Sequence, residues 1–121
     1  MAVILIVEDE PFTRELAEIC IDSWGHTAIS AETVGAALAA LHSRSPIDAL
    51  FTDIRLKDDL LGGCELGRAA VARHQNLRVL YTTGNRLTPE LKSKFISGAH
   101  FLSKPYTPDQ LQTGLEALLE A

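Results

Sequence analysis

The stretch that decides the fold is residues 3–9, which read Val-Ile-Leu-Ile-Val-Glu-Asp. An unbroken apolar run of this length, without alternation, is typical of a β-strand buried on both faces, as strands are in a parallel sheet. Two later runs repeat the pattern, Ala-Leu-Phe at 49–51 and Val-Leu-Tyr at 79–81. Residues 27–29 and 99–102 are weaker candidates of the same kind. We therefore predict five short strands.

Stretches with helical periodicity lie between and after these strands. In the first, the apolar residues Phe12, Leu16, Ile19 and Cys20 recur at helical spacing, and Gly25 follows as a stop signal. The other predicted helices cover residues 33–42, 65–74, 88–96 and 108–119.

Two of these helices have well-marked starts. Thr88-Pro89 and Thr107-Pro108 each place a hydroxyl at the N-cap and a proline at the first helical position. Gln110 completes a capping box with Thr107.

Five strands that alternate with five helices predict an α/β fold, a doubly wound five-stranded parallel sheet with (βα)5 connectivity. Such crossovers are right-handed and place helices on both faces of the sheet. Ligands of these folds bind beyond the carboxyl ends of the strands, so the site is to be sought there.

Composition narrows the classes of function. The 121 residues predict a single domain, 1–121, and the formal charge of −5 argues against broad binding to nucleic-acid phosphates, which requires a basic face. No apolar run approaches the ~18 residues of a membrane span, and no basic leader precedes the first apolar run. Cys20 and Cys64 make no disulfide framework. We expect a cytoplasmic protein that binds neither nucleic acid nor membrane directly.

Polar side chains cluster at the predicted strand ends. Glu8 and Asp9 follow the first strand, Asp53 the third, Thr83 the fourth and Lys104 the fifth. Clustered carboxylates suit Mg²⁺, which binds carboxylate and phosphate oxygens at the same time. A carboxylate can also act as a nucleophile towards phosphorus and form an aspartyl phosphate. Lysine and threonine would hold phosphoryl oxygens by charge and by hydrogen bond.

Each of these residues also has an ordinary structural interpretation. A single acid at a strand end is most often solvated or caps a helix, so only the whole set of residues indicates a site. The sequence has no GxGxxG or GxxxxGK[ST] motif, and Gly62-Gly63 are interpreted as ordinary loop glycines. Phosphatases of the haloacid dehalogenase type have an Asp-x-Asp motif at the nucleophile, whereas here the second residue after Asp53 is Arg55.

The ordered set resembles the receiver domain of two-component response regulators, of the single-domain chemotaxis-regulator kind, over the whole chain. The resemblance rests on Glu8-Asp9, on Asp53 within residues 51–56, on Thr83-Gly84 and on Lys104-Pro105. It implies the flavodoxin-like strand order 2-1-3-4-5 and a cis bond between Lys104 and Pro105.

The resemblance also implies a role for each site residue. Asp53 would accept a phosphoryl group from a sensor histidine kinase or a histidine phosphotransfer protein. Asp9, Asp53 and the backbone carbonyl of Arg55 would ligate Mg²⁺, with Glu8 acting through metal-bound water. Thr83 and Lys104 would contact the phosphoryl group.

Phe101 stands where this family has its switch aromatic, so Thr83 and Phe101 are the expected switch pair. The departures from the family pattern lie beside the site. Lys57 stands at a position that is usually proline, in a longer and more polar loop, and Arg55 and Asn85 occupy two variable positions.

The leading hypothesis is a phosphorylation-controlled signalling module of a phosphorelay that undergoes self-phosphorylation and self-dephosphorylation but is not a turnover enzyme. Its partner-binding face would comprise the fourth helix, fifth strand and fifth helix. The sequence does not identify the output protein. This chain would be a monomer or a phosphorylation-dependent dimer. Two alternatives remain: a small Mg²⁺-dependent phosphatase with an aspartate nucleophile, and a pseudo-receiver that docks partners without phosphate.

Overall fold

A computed structural model of the chain describes residues 1–43, 46–57 and 59–121. Within these ranges the strands are β1 Val3–Val7, β2 Thr27–Ala31, β3 Ala49–Asp53, β4 Arg78–Thr83 and β5 His100–Ser103. The helices are α1 Pro11–Ser23, α2 Val34–His42, α3 Gly62–Arg73, α4 Pro89–Lys92 and α5 Pro108–Glu120. The strands form one parallel sheet in the order β2-β1-β3-β4-β5, which confirms the predicted fold class and strand order.

The core has two layers, one on each face of the sheet. On one face Leu50 and Tyr81 pack with buried residues of α2 and α3. On the other, Phe51 and Leu80 pack with buried residues of α1 and α5. Because both faces are covered by helices, a solute reaches the sheet most directly at its strand ends.

Strands β3 and β4 extend beyond the apolar runs and include two of the predicted site residues. β3 ends on Asp53 and β4 ends on Thr83, so both residues belong to the sheet itself. Their backbones are fixed by the ladder, which includes the hydrogen bond from Ile54 N to Thr82 O at 2.9 Å.

The predicted capping signals are confirmed. Thr107 and Gln110 form a reciprocal capping box at the start of α5, and the Thr88 hydroxyl accepts a hydrogen bond from Leu91 N at 3.1 Å. The Lys104–Pro105 peptide bond is cis, as expected.

The predicted extent of the fourth helix is wrong. α4 ends at Lys92 instead of Ile96, and the following turns are tighter, with Lys94 N bonded to Leu91 O at 3.0 Å. Ile96 N donates to the Tyr81 hydroxyl at 3.3 Å instead of to a carbonyl one turn back. A buried side chain from the sheet therefore replaces the last turn of the helix.

The first helix is confirmed, but three of the four residues in its predicted apolar stripe are exposed, and only Cys20 is buried. Phe12 is 82% exposed and Ile19 59% exposed, whereas Ala17, Cys20 and Ile21 face the core. The sequence carries two overlapping apolar periodicities that share Cys20, and the one that includes Ala17 and Ile21 is buried. Among the described residues no helix is both long and apolar enough to cross a membrane.

Candidate functional site

Three carboxylates meet at the carboxyl ends of β1 and β3. One oxygen from each of Glu8, Asp9 and Asp53 lies within 4.8 Å of the others. Glu8 is 4% exposed and Asp53 is 7% exposed, so water screens their charges only weakly. The topology brings them together because β1 and β3 are neighbours in the sheet, although they are distant in sequence.

Lys104 balances part of this charge. Its Nζ donates a hydrogen bond to Asp53 Oδ2 at 2.8 Å and another to Glu8 Oε1. Burial nevertheless raises the pKa of Glu8 to about 7, against the opposing effect of its hydrogen bond with Lys104. Burial also disfavours the charged form of Lys104, but hydrogen bonds to Asp53 and Glu8 outweigh it, and the pKa of Lys104 is raised.

The loop after β3 contacts the exposed side of the site. Asp9 Oδ2 accepts a hydrogen bond from Lys57 N at 2.9 Å, and Arg55 Nε donates to Lys57 O at 3.4 Å. Lys57 has a φ of 54°, in the left-handed region, where a proline cannot stand. The departure from proline at this position therefore accompanies a different backbone path. Asp58, which also belongs to this loop, lies outside the described residues.

A polar cleft of about 300 Å³ opens over Asp53. Its lining residues are Asp9, Asp53, Arg55, Lys57, Thr83, Gly84, Asn85 and Lys104. The cleft thus brings together all the predicted site residues except Glu8, which lies buried beneath Lys104, and Phe101. Thr83 Oγ1 accepts a hydrogen bond from Asn85 N at 3.2 Å, so its hydroxyl proton is free to donate elsewhere.

Phe101 lies outside the cleft, on the sheet face that carries Tyr81. Phe101 and Tyr81 are register partners on β5 and β4. Phe101 is half-buried and stacks on Phe95 with ring centroids 6.1 Å apart, and Phe95 lies against Tyr81 at 4.4 Å. The three rings connect β4 and β5 with the segment after α4.

The interpretation of Gly62-Gly63 as loop glycines is wrong. Both are buried and begin α3. A methyl group at Gly63 would overlap the carbonyl oxygen of Asp53, and Gly63 N donates to Ile54 O at 2.8 Å. Gly63 lets the start of α3 pack directly on the backbone of Asp53. The adjacent glycine pair soon after an aspartate was the available signal for this close approach.

An apolar groove adjoins the cleft and was missed from the sequence. It has a volume of about 440 Å³ and is lined by Phe12, Thr13, Leu16, Gly84, Lys104, Pro105 and Tyr106. Gly84 and Lys104 line both the groove and the cleft, so the two are continuous. The hint in the sequence was the large aromatic residue Phe12 shortly after the acidic residues 8–10.

The donor set fits a magnesium ion. Oxygen ligands that include one or two direct carboxylates are those that Mg²⁺ prefers, and Glu8, Asp9 and Asp53 supply three carboxylates at one point. Arg55 lies in the lining of the same cleft.

A family model and a curated relative both relate this chain to response regulators. The family model described as the response regulator receiver domain matches residues 4–116. The nitrogen assimilation regulatory protein NtrX of Azorhizobium caulinodans is 31% identical over 118 residues, 97% of this chain. This chain spans only 26% of the length of that relative.

Solved structures agree with the fold. A response regulator receiver protein from Sinorhizobium medicae is 28% identical, with a TM-score of 0.88 over 99% of this chain and 95% of that one. The receiver domain of sensor histidine kinase PA1611 from Pseudomonas aeruginosa, with a magnesium ion coordinated in its active-site cleft, has a TM-score of 0.81. It is 24% identical and covers 99% of this chain and 98% of that one. At that identity the second likeness shows the fold alone.

Proposed function

This chain belongs to the response regulator receiver domain family, and we propose that Asp53 is its phosphoacceptor. The phosphoryl group would come from a sensor histidine kinase or a histidine phosphotransfer protein. The observation that carries the proposal is the position of the Asp53 carboxylate. It ends β3 at the base of the polar cleft, with Lys104 Nζ at 2.8 Å and two further carboxylates beside it.

Transfer to Asp53 is a substitution at phosphorus. A carboxylate oxygen of Asp53 bonds to phosphorus while the bond from phosphorus to the donor nitrogen breaks, and that electron pair stays on the imidazole. Lys104 is placed to neutralise phosphoryl oxygens because its ammonium already contacts Asp53. The free hydroxyl proton of Thr83 supplies a second contact.

The metal site is proposed to use Asp9, Asp53 and the backbone carbonyl of Arg55 directly, with Glu8 acting through water. When bound, Mg²⁺ neutralises charge on the carboxylates and on phosphoryl oxygens. The convergence of three carboxylates at one point supports this assignment.

The apolar groove is proposed as the docking surface for the phosphodonor protein. It is continuous with the cleft through Gly84 and Lys104, so a protein seated there holds a histidine side chain near Asp53. Phe12 and Leu16 are 82% and 44% exposed, and covering such apolar side chains favours association.

The output is proposed to follow from Thr83 and Phe101. A phosphoryl group draws the Thr83 hydroxyl inward, Asn85 moves with it, and Phe101 fills the space that Thr83 leaves. The partner-binding face comprises α4, β5 and α5, and the chain acts as a signalling module without turnover of external substrates. The single sheet supports one receiver domain over residues 1–121.

The decisive experiment is labelling with acetyl phosphate and Mg²⁺, read by intact mass. We expect one phosphoryl group per chain, mapped to Asp53, and no label in Asp53→Asn. Asp9→Asn should be labelled more slowly because it removes a metal ligand. Label on another carboxylate contradicts the assignment, and continuous release of phosphate from a phosphoester substrate would favour the phosphatase.

A further inference from the structure

Thr82, the residue before Thr83, lies on the opposite face of the sheet from it. Successive side chains of a strand alternate between faces. Leu80 packs with α1 and α5, and Tyr81 packs with α2 and α3. The Thr82 side chain therefore lies on the face of α1 and α5, and Thr83 lies on the face of Phe101.

Thr82 is the register partner of Asp53. The two residues are paired on β4 and β3, and paired residues of adjacent parallel strands project to the same face, with strands about 5 Å apart. On its other side Thr82 pairs with Leu102, which is apolar. Asp53 is thus the polar neighbour of Thr82 in this row of the sheet.

The hydroxyl of Thr82 is buried without a partner. Thr82 is 2% exposed, and its Oγ1 is the one buried side-chain polar atom, among the described residues, with no hydrogen bond. An unpartnered buried hydroxyl lowers the stability of a fold, so such an atom calls for an explanation.

The neighbouring Asp53 carboxylate makes no hydrogen bond with the Thr82 hydroxyl and is bound by Lys104 instead. Lys104 Nζ binds Asp53 Oδ2 at 2.8 Å and also binds Glu8. The last torsion of an aspartate is soft, so the carboxyl group reorients when that contact changes.

We propose that Thr82 is a positioning residue for phosphorylated Asp53, and that its hydroxyl donates a hydrogen bond to the Asp53 carboxyl oxygen that carries no phosphoryl group. The proposal rests on the proposed function. One Asp53 oxygen becomes bonded to phosphorus, and the other remains as a carbonyl oxygen with free lone pairs. Lys104 turns to the phosphoryl oxygens, which releases the carboxyl group toward Thr82. The hydroxyl gains its partner only in the phosphorylated state.

The test uses beryllium trifluoride with saturating Mg²⁺ as a phosphoryl mimic on the Asp53 carboxylate, with binding measured by calorimetry. Thr82→Val keeps the shape of the side chain and removes the hydroxyl, and Thr82→Ser keeps the hydroxyl. We expect Thr82→Val to bind the mimic roughly 3- to 10-fold more weakly, the effect of losing one hydrogen bond. We expect Thr82→Ser to bind nearly as wild type, and both variants to bind Mg²⁺ alone unchanged.

Stability provides the second measurement. Without Mg²⁺ and mimic, Thr82→Val should melt at a higher temperature than wild type, because it removes an unpartnered polar group. A lower melting temperature would show that the hydroxyl already has a partner, and this would overturn the proposal. Equal affinity of wild type and Thr82→Val for the mimic would also overturn it, as would a Thr82→Ser variant as weak as Thr82→Val. If wild type binds no mimic, or Asp53→Asn binds it equally well, the proposed function itself fails.

Discussion

At the scale of single residues, Lys104 determines how three carboxylates coexist at one point. Its ammonium contacts Glu8 and Asp53, while Asp9 is held separately by Lys57 N. One ammonium cannot neutralise three carboxylates, and the raised pKa of Glu8 reflects the burial that remains uncompensated. The site is therefore arranged to receive more positive charge, which is the physical basis for expecting a divalent cation.

Gly63 provides a prediction at this scale. Gly63→Ala should lower the free energy of unfolding by about 1–3 kcal/mol, because the added methyl group forces α3 away from the Asp53 carbonyl oxygen. Chemical denaturation measures this change. We also expect slower labelling of Asp53 by acetyl phosphate.

The matched control for Gly63→Ala is Gly114→Ala in α5. A methyl group at Gly114 meets Leu80 Cδ2 at 3.9 Å, an ordinary contact, and alanine is the better helix former. Gly114→Ala should leave stability unchanged or raise it by up to ~1 kcal/mol. Equal effects of the two substitutions would show that the close approach at Gly63 is unimportant.

At the scale of elements, the sequence predicted what depends on local patterns and missed what depends on contacts from elsewhere. The start of α5 was predicted because Thr107 and Gln110 cap it within one turn. The end of α4 was missed because a hydroxyl from β4, at Tyr81, accepts the hydrogen bond of Ile96 N. No local periodicity encodes that interaction.

The same limit applies to the site. Asp53 and Lys104 were predicted to meet because each stands two residues after an apolar run, and strand ends meet by topology. The exposed side of α1 was missed because Phe12 and Ile19 obey the same periodicity as a core face. Only packing decides which of two apolar stripes is buried.

Tyr81 provides a prediction for the segment after α4. Tyr81→Phe removes the acceptor of the Ile96 amide, so the free energy of unfolding should fall by about 1 kcal/mol and the Ile96 amide should exchange faster with solvent. Hydrogen exchange resolved by NMR measures both effects. Tyr106→Phe is the control, since the Tyr106 hydroxyl makes no hydrogen bond within the described part of the chain. Unchanged protection of Ile96 in Tyr81→Phe would contradict the interpretation of the shortened helix.

The exposed stripe of α1 provides a second prediction for an element. Phe12→Ala should slow phosphoryl transfer from the cognate phosphodonor protein, with a loss of about 1–3 kcal/mol in binding, because Phe12 lines the groove. Labelling by acetyl phosphate should stay unchanged. Ile19→Ala is the control, since Ile19 is 59% exposed on the same helix but does not line the groove. Equal slowing by both variants would place the docking surface elsewhere on α1.

At the scale of the whole molecule, the tandem threonines at the end of β4 lie on opposite faces of the sheet. Thr82 shares a face with Asp53, and Thr83 shares one with Phe101. From Phe101 the contact continues through Phe95 to the segment 93–99. Three of its four backbone hydrogen bonds span only three residues, and four of its seven residues are exposed, as expected for a part of the fold with low local stability.

The last prediction concerns this route across the molecule. Binding of beryllium trifluoride with Mg²⁺ should change amide exchange over residues 93–99 in wild type, because Thr83 and Phe101 reposition together. Phe101→Ala should reduce that change, since the ring that packs on Phe95 is gone, and allosteric coupling of this kind is typically about 1–3 kcal/mol. Labelling of Asp53 should persist in the variant. His100→Ala is the control, because His100 lies on the same strand but on the opposite face, and it should leave the exchange response intact. An undiminished response in Phe101→Ala would show that phosphorylation reaches α4 by another path, such as the backbone from Thr83 through Asn85.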